Sequence, residues 1–311
     1  MGRSMGGKHW GSEGRNMICS NQQNIKVHLA TTEIIFQGLS ALAGGSKYNL
    51  GTAFPFVYEL FKKGYISERN TGVINRMASH SKHYILDSGL FTLMFGALKG
   101  NKDEKYIDKW YELLTDFVLS EQYTGTMVEV DCQKVLGPEK AWQYREKMGA
   151  KVPNRVINVF HIEDGQKGLD RLIEFSNYIA ISVPELRFSG KKNHLNQIAH
   201  YIKNKKPEID IHLLGCTEKK KLRELNFCSS ADSSSWMSGI RYGQIDTTVG
   251  KHHIDTIKES IQRERYMKWL DVRNQLFPEY PIPKNRLRCG ILTFASEEHI
   301  KIYEQYAGRQ D

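Results

Sequence analysis

HYILDSGLF, residues 83–91, runs an apolar strand straight into an Asp-Ser-Gly turn, with no polar break before the carboxylate of Asp87. A short run ending in an aspartate recurs in MVEVDCQKVLG (127–137), around Asp131, and in NFCSSADSSSW (226–236), around Asp232. A strand covered by helices reads as a continuous apolar run, and in a (β/α)8 barrel the residues at its C-terminal end line the mouth of the site. A fold of that kind brings three such carboxylates together. A single Asp at a strand end serves equally well as a helix cap or a turn anchor. The threefold recurrence is what argues for chemistry.

Working outward, apolar runs give eight candidate strands: IKVHLAT (25–31), HYILD (83–87), TMVEVD (126–131), RVINVFHI (155–162), YIAISV (178–183), IDIHLLG (209–215), FCSSAD (227–232) and the short IRYG (240–243). Segments of helical period lie between them: TAFPFVYELFKKGY, DEKYIDKWYELLTDFVLSEQ, PEKAWQYREKMG, GLDRLIEFSN and HLNQIAHYIKN. Several stop at Gly or Asn, as helices do. Strands alternating with helices imply a parallel sheet. An open doubly wound sheet alternates too, but the count of eight and the lack of a GxGxxG turn after the first strand favour closure. The expected fold is α/β, a (β/α)8 TIM barrel with additional C-terminal helices. The expected division is a flexible tail at 1–20, the barrel at 21–250, and at 251–311 a helical extension packed on it.

The 311 residues are 40% hydrophobic and 25% charged, ordinary for a soluble globular protein. No apolar run approaches the ~20 residues that span a bilayer, and the glycine-rich N-terminus lacks an apolar signal core, so a cytoplasmic location is expected. Five scattered cysteines contain no CxxC or CxC pair, which argues against a disulfide framework and a zinc ribbon. Adjacent His252 and His253 cannot complete a tetrahedral site alone. No metal and no cofactor are expected. The formal net charge is +9, with lysines clustered at 191–192, 203–206 and 219–221, which suits a polyanionic partner. The C-terminal run Arg263, Arg265, Tyr266, Lys268, Trp269 either wraps the barrel or touches a nucleic-acid backbone.

Ser88 and Gly89 after Asp87 allow a tight turn whose backbone N–H groups are expected to meet a ligand. Glu129 shares a strand face with Asp131 by the period of two, so the pair either raise each other's pKa or Glu129 forms a salt bridge. Asp232 sits among small polar residues that can hold it ionised. Ser233, Ser234 and Ser235 offer no GxSxG elbow, and Gly44-Gly45-Ser46-Lys47 lacks the spacing of a P-loop.

Taken together, DSGLF, EVDCQ, INVFH, YIAISVPE, HLLGCT and SSADSSSW resemble the tRNA-guanine transglycosylase superfamily over about residues 25–245. The chain looks most like its DNA-directed DpdA branch, the 7-deazaguanine DNA transglycosylases of phages and bacterial DNA-modification clusters. The resemblance implies exchange of guanine in DNA for a free 7-deazaguanine base, such as 7-cyano-7-deazaguanine. Asp232 would be the nucleophile at C1′, forming a covalent glycosyl-aspartate, and Asp87 the general acid/base. Asp131 would accept from the base's N1–H and amine, and Phe91 would stack on the base beside Ser88 and Gly89. His161, Ser182 and the backbone at Gly215 fall where the family contacts the heterocycle.

Two departures bear on the substrate. The chain lacks the CxCxxC and distal His zinc site of the tRNA enzymes, and it reads Gly89-Leu90 where they have a second glycine. The first shifts the expectation from tRNA to DNA, with Lys191, Lys192, Arg241, Arg263 and Arg265 as candidate phosphate contacts. The alternatives are a tRNA-guanine transglycosylase, a hydrolase of nucleosides or bases on the same barrel, and a non-catalytic nucleic-acid-binding barrel.

Overall fold

Eight strands, each parallel to the next, close on themselves in sequence order: β1 (Lys26–Ala30), β2 (Tyr48–Thr52), β3 (His83–Asp87), β4 (Thr126–Val128), β5 (Val156–Phe160), β6 (Tyr178–Ser182), β7 (Asp210–Leu214) and β8 (Ser230–Ser233). The closing seam is the β1–β8 pair, where His28 lies opposite Asp232. The expected (β/α)8 barrel is therefore present. This computed structural model describes residues 25–31, 34–53, 59, 68–90, 103–120, 122–261, 263–278, 281–282 and 286–307. Among them no helix is long and apolar enough to cross a membrane.

Seven expected strands are found, and the eighth is not where the sequence pointed. IRYG belongs to a short helix, Ser238–Tyr242, closed by Gly243 in the left-handed conformation. Arg241 and Tyr242 are exposed, so the segment has no buried strand face to offer. The missing strand is β2, whose sequence YNLGT carries little apolar signal. Its burial comes from partners distant in the chain. The amide of Asn49 bonds Ser81 Oγ at 2.9 Å, and a Cβ on Gly51 would stand 1.9 Å from the Tyr84 hydroxyl. Asp87 consequently ends the third strand rather than the second, and Asp232 lies in the eighth rather than after the seventh.

The helices follow from their sequences. Glu104–Leu119 buries Ile107, Trp110, Tyr111, Leu114 and Val118 on one stripe, and Asp103 caps it by accepting from Tyr106 N at 3.0 Å. Its Trp110 donates from Nε1 to Ser88 O at 2.8 Å, tying the helix to the turn after β3. Pro138–Lys151, Gly165–Phe175 and Leu195–Lys205 match their expected segments, while TAFPFVYELFKKGY, the N-terminal tail and Phe91 lie largely or wholly outside the described residues. Beyond β8 comes an antiparallel hairpin, Gln244–Thr247 with Gly250–His253, and then the helices Ile254–Ser260, Arg263–Leu276 and Leu287–Ala307. The last packs against β1 and the helices Leu39–Ala43 and Lys219–Glu224. Ser296 Oγ donates to Ser40 O at 2.9 Å, and Leu292, Ile302 and Tyr303 join the cluster holding Val27, Leu29 and Ala231. This helix thus covers the β8–β1 side of the barrel.

Inside the barrel, Ala30, Leu50, Ile85, Val128, Val159 and Ala180 form one apolar cluster drawn from six strands. Two residues earlier on the same faces stand His28, Tyr48, His83, Thr126 and Tyr178, a polar floor toward the N-terminal ends. Outside it, Glu129 and Arg145 form a buried two-pronged ion pair, Nε to Oε2 at 2.8 Å and NH2 to Oε1 at 2.6 Å. Glu129 also accepts from Asn158 Nδ2 at 2.6 Å and Val159 N at 2.9 Å. This clamps β4 to β5 just before Asp131 and His161. Of the two readings of Glu129, the salt bridge is the observed one. Arg145→Ala leaves a buried carboxylate without its counter-charge and should cost about 3–5 kcal/mol of stability. Chemical denaturation measures this, and a variant within about 1 kcal/mol of the wild type would show that the clamp is dispensable.

Candidate active site at the C-terminal end of the barrel

Alternation along β3 and β8 aims Asp87 and Asp232 into the barrel, and Asp131 follows β4 by three residues. The three carboxyls are close enough to sense one another. Burial pushes Asp87 up, the charges of Asp232 and Asp131 push the same way, and its pKa reaches about 6 against the pull of a 2.7 Å hydrogen bond from Gly89 N. That bond is made possible by the positive φ of 74° at Gly89. The amide expected to meet a ligand is thus already given to Asp87.

Asp232 is held through one oxygen. His212 Nε2 reaches Oδ1 at 3.1 Å and Gly215 N donates to it at 3.0 Å, and among the described residues no donor reaches Oδ2. Gly215 has a φ of 64°, and a Cβ there would meet Pro184 Cγ at 2.9 Å. Its backbone, expected at the heterocycle, serves the carboxylate instead. Behind His212 runs a chain of hydroxyls. His212 Nδ1 lies 2.5 Å from Ser230 Oγ, which lies 2.5 Å from the Tyr178 hydroxyl. Burial raises the Tyr178 phenol, so it stays protonated. Ser230 and, through it, the Tyr178 hydroxyl hold His212 Nδ1 while Nε2 faces Asp232. The ring of His212 is fully buried.

Asp131 is held by His161, whose Nε2 is 2.8 Å from Asp131 Oδ1 and whose Nδ1 is 3.1 Å from Glu185 Oε2. Burial opposes charge on this ring, but the hydrogen bonds and charges of the two carboxylates outweigh it and lift the pKa to about 10. His161 is therefore an imidazolium that donates from both nitrogens. Ser182, expected at the base, caps the helix Val183–Phe188 by accepting from Glu185 N at 3.3 Å. It fixes the start of the segment that carries Glu185. Because folding raises the His161 pKa, the pairing stabilises the fold fully below about pH 6.5 and is lost as pH rises through about 10. Wild type should lose roughly 5–10 °C of Tm between pH 7.5 and 10.5. His161→Gln should start lower and change less across that interval; an equal loss in the variant would remove His161 as the cause.

Beneath the mouth, His28 Nε2 and His83 Nδ1 are 2.9 Å apart, and His83 Nε2 is 3.1 Å from Thr126 Oγ1. Burial drives both rings below the ordinary histidine value, helped by His83 and His212 at His28 and by Lys26 and His212 at His83, which falls to about 4. Both are neutral at pH 7, so they pair as donor and acceptor. His28, His83, His212, Tyr178, Ser230, Glu185 and Arg145 escaped the reading of the sequence. The available signal was a polar residue at an inward position of an apolar strand, as with His28 in IKVHLAT and His212 in IDIHLLG.

The candidate phosphate contacts do not converge into one set of side chains. Lys191 is exposed, and Lys192 pairs with Glu218 at 2.8 Å. Arg241 and Arg263 are exposed. Arg265 pairs with Glu297 at 2.9 Å and lies over the Phe294 ring, so the C-terminal run is partly taken up in packing. His252 and His253 lie in the hairpin, and among the described residues no group of three His, Cys, Asp or Glu could hold a metal ion.

No family model and no curated protein matches the chain. Among solved structures it is similar to a fructose-bisphosphate aldolase from Campylobacter jejuni, with 11% identity, a TM-score of 0.48, and coverage of 92% of this chain and 90% of that one. It is also similar to a 2,3-dimethylmalate lyase of the PEP mutase/isocitrate lyase superfamily, with 10% identity, a TM-score of 0.40, and coverage of 92% and 95%. At these levels neither likeness carries an argument about chemistry.

Proposed function

We propose that this protein is an enzyme, a base-exchange transglycosylase that replaces guanine in DNA with a 7-deazaguanine. The observation that carries the reading is the division of labour among three neighbouring carboxyls. Asp87 stays partly protonated near neutrality, Asp232 has one oxygen held by two donors, and Asp131 is braced by an imidazolium. Two carboxyl groups set apart in this way serve a retaining exchange at an acetal carbon.

In the first step Asp232 Oδ2 forms a bond to C1′ as the bond from C1′ to guanine breaks, and Asp87 gives its proton to the departing base. In the second, the incoming 7-deazaguanine loses a proton to Asp87 and attacks C1′ from the side that guanine left, breaking the ester. Two inversions give net retention. Asp131 accepts from N1–H and the exocyclic amine of the base, with His161 holding its Oδ1 in place. Adenine presents an acceptor at N1, which faces Asp131 unfavourably by about 1–3 kcal/mol. A target inside a duplex has to leave the stack or be presented single-stranded.

The choice of DNA rests on the sequence, which lacks the cysteine pattern of the tRNA enzymes and carries a charge of +9. Incubating the protein with guanine-labelled DNA or tRNA and unlabelled 7-deazaguanine bases tests it. DNA should lose label, with steep inhibition by salt. Faster loss from tRNA at matched salt would reassign the polymer, and loss from neither would remove the transglycosylase reading.

A further inference from the structure

Where the segments after β1 and β8 meet the first turn of Leu287–Ala307, they enclose a pocket of about 350 Å3. Its lining lies on segments that leave the C-terminal ends of strands, the end that carries Asp232: Phe36 and Gln37 follow β1, and Arg241 sits in the short helix Ser238–Tyr242 that follows β8 after one short turn. Three arginines line it, Arg241, Arg286 and Arg288, and among the described residues no carboxylate does.

Some arginines elsewhere in the fold are paired with carboxylates, as Arg145 with Glu129, Arg171 with Glu146 and Arg265 with Glu297, and others, such as Arg76 and Arg155, are held by backbone carbonyls. Among the described residues none pairs with Arg286 or Arg288, although both are exposed. The Arg286 guanidinium lies 5.5 Å from the Phe36 ring centroid, which limits where its fork can point. On the pocket wall, burial pushes the Cys289 thiol up, while Arg286, Arg288 and the neighbouring Arg273 pull it back, so this wall lies in a positive field. The first turn of a 21-residue helix adds the positive end of its dipole, although Cys289 N is already given to Arg286 O at 3.1 Å.

We propose that this pocket binds a phosphate ester of the substrate. Guanidinium forks match phosphate oxygens two at a time, and the apolar remainder of the wall suits the attached sugar. That the ester is a backbone phosphate next to the exchanged nucleotide rests on the transglycosylase reading. The phosphate chemistry itself does not.

The test compares wild type with the double variant Arg286→Gln, Arg288→Gln, which keeps much of the side-chain bulk at exposed positions. Lys205→Ala is the control, because Lys205 is exposed at the C-terminal end of Leu195–Lys205, where a barrel helix returns to the opposite end. Binding of a fluorescent single-stranded, guanine-containing oligodeoxynucleotide is followed across a salt series, and binding of inorganic phosphate and deoxyguanosine monophosphate by calorimetry. Removing both guanidinium charges should make the slope of log K against log salt shallower by about 1.4, with Lys205→Ala close to wild type. Oligonucleotide binding that is equal in wild type and double variant overturns the pocket while leaving the transglycosylase reading intact. If wild type binds no oligonucleotide but binds phosphate or the monophosphate, and the double variant does not, the pocket stands and the polynucleotide reading falls. Absence of binding in every arm overturns the pocket. Thermal melting of the double variant at the wild-type temperature establishes that the comparison is between folded proteins.

Discussion

Asp232→Ala abolishes base exchange, by at least about 10⁴-fold, while affinity for the polynucleotide stays within a few fold of wild type. The two outcomes separate because a carboxylate aimed at C1′ does not touch the phosphates that supply most of the binding. The geometry behind the expectation is the asymmetry of the Asp232 carboxylate. Oδ1 accepts from His212 Nε2 and Gly215 N, which fixes the plane of the group and leaves Oδ2 to form the ester. A covalent intermediate should also survive denaturation, so wild type mixed with DNA in the absence of an acceptor base should show a shifted protein band that the variant lacks. Normal exchange by Asp232→Ala would falsify the assignment. Removing the carboxylate leaves His212 and Gly215 N without their acceptor, so melting of the variant has to be compared with wild type before activity is interpreted.

Asp87→Asn slows exchange by roughly 10²- to 10⁴-fold, the range expected when a positioned proton donor and acceptor is lost at nearly constant size. Its pH dependence is the sharper test. Burial, Asp232 and Asp131 raise the Asp87 pKa to about 6, and Gly89 N occupies Oδ1, which leaves the proton on Oδ2. The acid form dominates below that value and falls tenfold per unit above it. Release of guanine, which consumes the proton, should therefore decline as pH rises past about 6 in wild type, and the same limb should be absent from Asp87→Asn. Single-turnover release of labelled guanine between pH 5 and 8.5 reads both. Full speed in the variant, or an unchanged limb, would mean that Asp87 only anchors the turn through Gly89 and that the proton travels by another route.

The carboxylates were legible because each follows an apolar run that period-two reading places at a strand end. The groups that tune them were not, since His212, Ser230 and Tyr178 meet only when β6, β7 and β8 are laid side by side. Nothing local to IDIHLLG says that its histidine will reach an aspartate 20 positions later. The turn amides of Gly89 and Gly215 were legible as special backbone but not in their use, because the direction of an N–H depends on where the neighbouring carboxylate comes to rest. Strand β2 was missed for a related reason. YNLGT holds its place through Asn49, Gly51 and their contacts with Ser81 and Tyr84, and such partners leave no periodic trace.

Local pattern and composition carried the alternation of strands and helices, the apolar runs that build the sheet, the three strand-end carboxylates and the surplus of positive charge. All of these can be read one segment at a time, with no knowledge of neighbours. Packing settled the rest: which strand closes the ring, which oxygen of each carboxylate is free, that Glu129 is tied to Arg145, and that His161 is held as an imidazolium. Each of those depends on distance and burial, and both come into being only when strands remote in sequence are packed around a common interior.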